Sequence, residues 1–501
     1  MAGMAQEREI LCIGSGFGGL ALGIALNNAG IANYQLLEKS SQPGGVWRDN
    51  TYPGCACDVP SRFYSFSFEQ NWPWSSRFGQ QPEIWKYFNH CMDKYNVRSH
   101  VRTNTAVKSA RWDDEAALWN IETANGEKLQ SRVLVSGMGL FNQPIYPDIK
   151  GLGSFKGPAW HSSSWDHDVD LKGKRVAVIG TGASAIQFVP QVAKHAGKLL
   201  VCQRSPQYVN PKDMGIPFEE RKWYMNTTPY HMYERYKIYK DMESGIGRRY
   251  SHELASAARD NWLKYLEQQV PNPELRAKLT PSYPFGCKRM LQSNEWYPAL
   301  QQPNVELVST AVEEITETGI RLADGTFHEL DVLIYGSGFK PTSFLPGVEI
   351  YGKNGVEIHE QWSEAAEAYL GITVENFPNF FMLYGPNTNA SASIIYMLEH
   401  QAGYITQCVQ ALKGQNAAAI EIRSDVFRSF NDVVRTRLEE SVVAAGNCNS
   451  YFKLPSGRIP TQWPWTMTEY HARTAKVNVA EYAFRPKAAN TQTKPMVQAA
   501  E

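Results

Sequence analysis

The sequence predicts an α/β chain in which two doubly wound, parallel-sheet units are nested, the second inserted into the first. Three observations carry this. A short apolar strand runs into a glycine-rich turn and an apolar helix over 9–28. The same strand, turn and helix recur over 175–196. Each unit later closes with an apolar strand that ends in glycines, at 133–139 and 332–338.

In the first unit the turn reads Gly14-Ser15-Gly16-Phe17-Gly-Gly19, followed by a helix to Asn28, a stop at Gly30 and a second strand over 34–37 closed by Glu38. Gly14 permits a tight turn, Gly16 lets the backbone approach a pyrophosphate, and Gly19 lets helix and strand pack closely. The helix N-terminus then faces phosphate, and Glu38, about twenty residues on, can accept from ribose hydroxyls. This is the pattern of a Rossmann-like dinucleotide site.

The second unit repeats it as Gly180-Thr181-Gly182-Ala183-Ser184-Ala185, with a helix expected over 185–196, kinked at Pro190. After its next strand, 198–202, Gln203-Arg204-Ser205 stands where the first unit has Glu38. No carboxylate is there to repel a phosphate, and a guanidinium is present to pair with one, which favours NADPH over NADH. Asn125-Gly126 and Asp324-Gly325 read as hairpin turns at matching places. The glycine-ended strands read as crossings between domains. An FAD domain is therefore expected over 1–147 plus 336–485, with an NADPH domain over 148–335 between them. Within the latter, 215–284 is polar, tyrosine-rich and helical in pattern, an insertion. The end, 486–501, reads as a disordered tail. Two dinucleotide sites in one chain imply electron transfer between cofactors.

Composition narrows the partners. Fifty basic residues balance fifty acidic ones over 501 residues, so no nucleic-acid or anionic-membrane partner is expected. There is no transmembrane-length apolar run and no signal-peptide core, which points to the cytosol. The eight cysteines, at 12, 55, 57, 91, 202, 287, 408 and 448, have no zinc or CxxC spacing and read as reduced apolar fillers. No metal site is expected.

Between the glycine turns lies Phe155-Lys-Gly157-Pro-Ala-Trp-His161-Ser-Ser-Ser-Trp165-Asp166, and upstream lies Gly44-Gly45-Val46-Trp47-Arg-Asp-Asn-Thr-Tyr52-Pro53-Gly54-Cys-Ala-Cys-Asp58. The first matches the FxGxxxHxxxW[PD] fingerprint at every fixed position, and the chain resembles the Baeyer–Villiger monooxygenases over roughly residues 8–400. That resemblance implies oxidation of a ketone to an ester or lactone by O2 and NADPH through a C4a-peroxyflavin. It also implies that Glu38, Val46, Trp47, Asp58, Tyr64 and Val107 contact flavin, and that Thr181 to Gln187 hold the NADPH pyrophosphate. Lys288 is implied to help Arg204 and Ser205 with the 2′-phosphate, and Arg289, paired with Asp58, to be the catalytic arginine. His161 is implied to serve domain movement rather than chemistry. The crossings depart from the family, reading Ser136-Gly-Met-Gly139 and Gly336-Ser-Gly338, which bears on domain closure.

The chemistry asks for such residues on its own terms. Attack on a ketone needs an anionic oxygen nucleophile, and only Arg is a cation at every working pH. An N- or S-oxygenating flavin monooxygenase needs no such charge and is the nearest rival. A pyridine-nucleotide disulfide reductase needs a CxxxxC pair that the chain lacks. A silent flavin-binding protein has little use for Arg204 with Lys288.

Overall fold

The computed structural model describes residues 6–217, 220–390 and 393–487. An eight-stranded sheet forms the first unit. Its order is Glu349–Tyr351, Val107–Asp113, Leu118–Thr123, Lys128–Ser136, Gln6–Ile13, Tyr34–Leu37 and Val101–Arg102, with Phe380–Met382 also paired to Lys128–Ser136. Ile10 to Ile13 are buried on both faces. An unbroken apolar run of this kind suits a central parallel strand covered by helices. Ile10 sits beside Tyr34 on one side and Val133 on the other, both in parallel register.

The second sheet is wholly parallel, in the order Val305–Val308, Lys198–Cys202, Arg175–Ile179, Val332–Tyr335 and Ala159–His161. All strands of the first sheet thus come from before residue 137 or after residue 348, and all strands of the second from between 159 and 335. Asn125-Gly126 and Asp324-Gly325 do join antiparallel strands.

The two glycine turns are built alike down to single hydrogen bonds. Gly14 N donates to Leu37 O (2.8 Å) and Gly180 N to Cys202 O (3.0 Å). The crossing segments return against them, Gly137 N to Ile13 O (2.8 Å) and Gly336 N to Ile179 O (2.9 Å). A Cβ on Gly14 would lie 2.7 Å from Gly137 O, and one on Gly180 2.3 Å from Gly336 O. Both glycines also have positive φ, +100° and +115°, so no other residue fits there without strain. The unusual glycines of the crossings sit against these turns and keep their backbone contacts.

Helices Phe17–Asn28 and Ala185–Ala193 follow the turns. The second is shorter than the expected 185–196 and contains Pro190, which lacks an N–H for the helix ladder. The insertion is helical, as expected: Thr228–Ser244, His252–Gln269 and Pro273–Leu279. Ser251 and Asn272 cap the latter two by accepting from Leu254 N and Glu274 N. Arg235 anchors the insertion on the first unit by donating to Arg62 O and Ser65 O, each at 2.9 Å.

Two expectations are corrected. The cysteines are not all free: Cys287 and Cys448 form a disulfide across 161 residues of sequence, a pairing that spacing could not reveal. The other six are buried thiols, and burial pushes Cys12 and Cys55 up to about 12, which keeps them unreactive. Nor does a disordered tail begin at 486. Tyr482–Pro486 is a strand paired with Ala417–Ile422, while 488–501 lies outside the described residues. Among the described residues no helix is long and apolar enough to cross a membrane.

Candidate active site

At the first turn, the helix Phe17–Asn28 starts from Gly16 with no side chain capping its first N–H groups. Such a start offers unsatisfied donors and the positive end of the dipole to an anion. A Cβ on Gly16 would meet nothing nearer than Gly45 Cα at 3.7 Å, so the space there is left open by the protein itself. Glu38 is 4% exposed and closes one side, accepting from Ser15 Oγ (2.7 Å), Ser15 N (3.2 Å) and Ser40 N (3.0 Å). The Phe17 ring points away, into an aromatic cluster with Tyr64, Phe66 and Phe88, which leaves its backbone for any ligand. Val46 and Trp47 lie in the short helix Val46–Asp49. Trp47 Nε1 donates to the Tyr64 hydroxyl at 2.8 Å. Val107 is buried at the start of its strand. The donor set and open turn fit a dinucleotide.

The second turn has the same openness. Helix Ala185–Ala193 also begins without a side-chain cap, at Ser184, and a Cβ on Gly182 would meet nothing within 4 Å. Thr181 is buried and Ala183 exposed. Gln187 is engaged otherwise. Its amide donates to Ala56 O (3.0 Å) and accepts from the Tyr52 hydroxyl (3.0 Å) and Ala56 N (3.3 Å). Here it ties the two units together.

Beyond the strand Lys198–Cys202, Lys288 Nζ donates to Ser205 Oγ at 2.8 Å. Burial and then the nearby Arg204 charge lower the Lys288 ammonium from its usual range. The two cations thus stand near enough for their charges to act on each other. Arg204→Ala is expected to raise the KM for NADPH at least tenfold more than that for NADH. Steady-state kinetics with both nucleotides checks this, and equal changes would remove Arg204 from phosphate binding.

The Arg289 guanidinium is hydrogen-bonded and ion-paired to the Asp58 carboxylate. Burial alone would raise Asp58, but the Arg289 charge and hydrogen bond, with the Lys212 charge, together outweigh it and hold the carboxyl below its usual range. Asp58 in turn pushes Arg289 still higher. The pair is therefore charged at every working pH. Removing either member would strand the other, the costly half of such an arrangement. One third of the Arg289 side chain stays exposed (33%), and its Nε is a buried donor with no partner.

Three further side chains meet here that sequence reasoning missed. Lys212 Nζ reaches Cys57 O (3.4 Å) and adds positive charge beside Asp58. Asn294 fixes the Lys212 backbone, accepting from Lys212 N and donating to Lys212 O, each at 2.8 Å. Tyr384 and Tyr451 lie close enough for their charges to couple to the ion pair. Tyr384 has φ +58°, a conformation that non-glycine residues adopt rarely and mainly at functional positions.

Both fingerprint segments lie where the units meet. A Cβ on Gly54 would sit 2.8 Å from Gln187 O. In the other segment, Gly157 leaves room for the Phe155 ring and Asp331 O, 2.7 and 2.9 Å from a would-be Cβ. Trp165 packs on Phe188 of the second helix, ring centroids 5.3 Å apart. His161, on the edge strand, bonds through Nε2 with Gly338 O (3.1 Å) and through Nδ1 with Ser163 Oγ (2.8 Å). Its burial pushes the imidazole below its usual range, so it sits neutral against the second crossing.

The family model for flavin-binding monooxygenase-like proteins matches residues 7–348. A Baeyer–Villiger monooxygenase of Pseudomonas aeruginosa is 37% identical over 95% of this chain and 92% of its own. One of Streptomyces coelicolor is 39% identical over 98% and 95%. The crystal structure of OTEMO in complex with FAD and NADP superposes with a TM-score of 0.86 at 27% identity, covering 96% of this chain and all of the other. With the paired glycine turns and the Asp58–Arg289 contact already in place, the chain belongs to the flavin-binding monooxygenase-like family, among its Baeyer–Villiger monooxygenases.

Proposed function

We propose that this protein is an FAD- and NADPH-dependent monooxygenase that converts a ketone to an ester or lactone, consuming O2. The observation that carries the reading is the ion pair of Asp58 with Arg289, in a chain with two open glycine turns. FAD would be held at Gly14 to Gly19 and Glu38 in the domain made of 1–147 and 336–485. NADPH would be held at Gly180 to Ala185 with Arg204, Ser205 and Lys288 in 148–335. Bound together, the two cofactors supply the electrons and the oxygen chemistry.

The chain supplies position and charge. Arg289 offers a fixed cation to the oxyanion that develops on the ketone carbonyl oxygen, from the third of its side chain that stays exposed. Asp58 fixes the plane of the guanidinium through their hydrogen bond and offsets its burial. Trp47 and Tyr64 hold each other and wall the first site. Cys55 and Cys57, being buried and un-ionised, give no redox dithiol, so a disulfide-reductase reading has no chemistry to run on.

N- or S-oxygenation is the alternative, and product analysis separates the two. With FAD-loaded enzyme, NADPH and O2, a ketone panel is expected to give esters or lactones. Sulfoxide from a thioether without ester from any ketone would defeat the proposal.

A further inference from the structure

Asp58 is not the sole neighbour of the Arg289 guanidinium. The Tyr451 phenol stands beside it, near enough for the two charges to couple. The Tyr451 ring meets Phe141 edge-on at 6.4 Å, and Phe141 meets Phe339 at 5.9 Å. Phe141 and Phe339 follow the first and second crossings, so Tyr451 stands near the place where both crossings come together.

The segment bearing Tyr451 has little regular structure to hold it. After the short helix Val442–Ala445, it is fixed by a covalent bond. Cys448, three residues before Tyr451, is joined to Cys287, two residues before Arg289. The backbone is closed tightly around that bond: a Cβ on Gly446 would lie 2.2 Å from Cys287 Sγ. Lys453 Nζ adds a hydrogen bond to Gly446 O at 2.9 Å.

From this arrangement we infer that Tyr451 is a positioning residue for Arg289: its phenol oxygen accepts from the guanidinium as a second anchor beside Asp58, and the Cys287–Cys448 disulfide keeps the two segments in register. The inference rests on the role proposed for Arg289. A guanidinium held by one carboxylate can still swing about that contact. Anchors from two separate segments fix its plane, and small misplacements of a catalytic group lower rates strongly. The cross-link removes relative motion of segments that are far apart in sequence.

The test uses FAD-loaded wild type, Tyr451→Phe and Cys448→Ser. Its first readout is independent of turnover: the rate at which phenylglyoxal, an arginine-selective reagent, labels Arg289, followed by peptide mass without NADPH present. Its second is the split between kcat and KM for ester formation. Tyr451→Phe is expected to label several-fold faster and to lose about tenfold in kcat, the size expected of one hydrogen bond to a charged group. Ketone KM and thermal midpoint should hold near wild type. Cys448→Ser, or dithiothreitol-treated wild type should that variant not fold, is expected to label faster too. Unchanged Arg289 labelling in Tyr451→Phe would overturn the inference, as would kcat, KM and thermal midpoint declining together. If wild type makes no ester, the functional reading fails, while faster labelling of Tyr451→Phe still supports the anchor.

Discussion

Arg289→Ala is expected to lower ester formation by about 10²–10³, the usual effect of removing one well-placed stabiliser of a developing oxyanion, while leaving anaerobic flavin bleaching by NADPH within about threefold of wild type. The reason lies in how the site divides its work. Electron delivery depends on the two glycine turns and on the Arg204–Lys288 cluster. None of these needs Arg289. The oxygen-transfer step, by contrast, would build negative charge beside the exposed part of Arg289, whose guanidinium Asp58 holds in place. Stopped-flow bleaching and product yield, measured on one preparation, check the two halves separately. A normal ester yield would remove Arg289 from the chemistry. Arg289→Lys is expected to recover little, because an ammonium cannot keep the forked contact with Asp58 and still offer a second fixed donor.

Gly16→Ala is expected to give a folded protein that purifies without flavin. The added methyl group meets nothing of the protein nearer than 3.7 Å, and Gly16 has an ordinary φ of −78°, so the fold should tolerate it. The methyl group instead fills the approach to the uncapped start of helix Phe17–Asn28. Gly14→Ala makes a contrasting control. There the methyl group would meet Gly137 O at 2.7 Å from a backbone with φ +100°, so loss of the fold itself is expected. Visible flavin absorbance against thermal midpoint distinguishes the two. Full flavin occupancy in Gly16→Ala would mean that the pyrophosphate does not come close to the backbone here.

Much of this was legible in the sequence, for a local reason. A strand–turn–helix with spaced glycines is decided within about thirty residues, and both turns with their closing strands formed where the pattern placed them. The corresponding contacts Gly14 to Gly137 and Gly180 to Gly336 explain why the crossings end in glycine. What escaped was non-local. Lys212 reaches the site by a contact with Cys57 O, 155 residues away in sequence. Tyr451 comes to Arg289 through a disulfide whose cysteines are 161 residues apart. Tyr384 carries no motif beyond the glycine that follows it, and its left-handed backbone is visible only in three dimensions. The side-chain use of Gln187 also needed the fold. Its place in the second turn suggested a phosphate contact, whereas its amide is filled by Tyr52 and Ala56 of the other unit.

The account stands on an enduring cation beside the reacting oxygen, and the most direct test follows that oxygen. FAD-loaded wild type is turned over with NADPH under isotopically labelled O2, with a ketone panel and a thioether, and products are identified by mass. The prediction is an ester or lactone carrying a single labelled oxygen, and its loss in Arg289→Ala. Labelled sulfoxide with no labelled ester from any ketone, in wild type and variant alike, would contradict it.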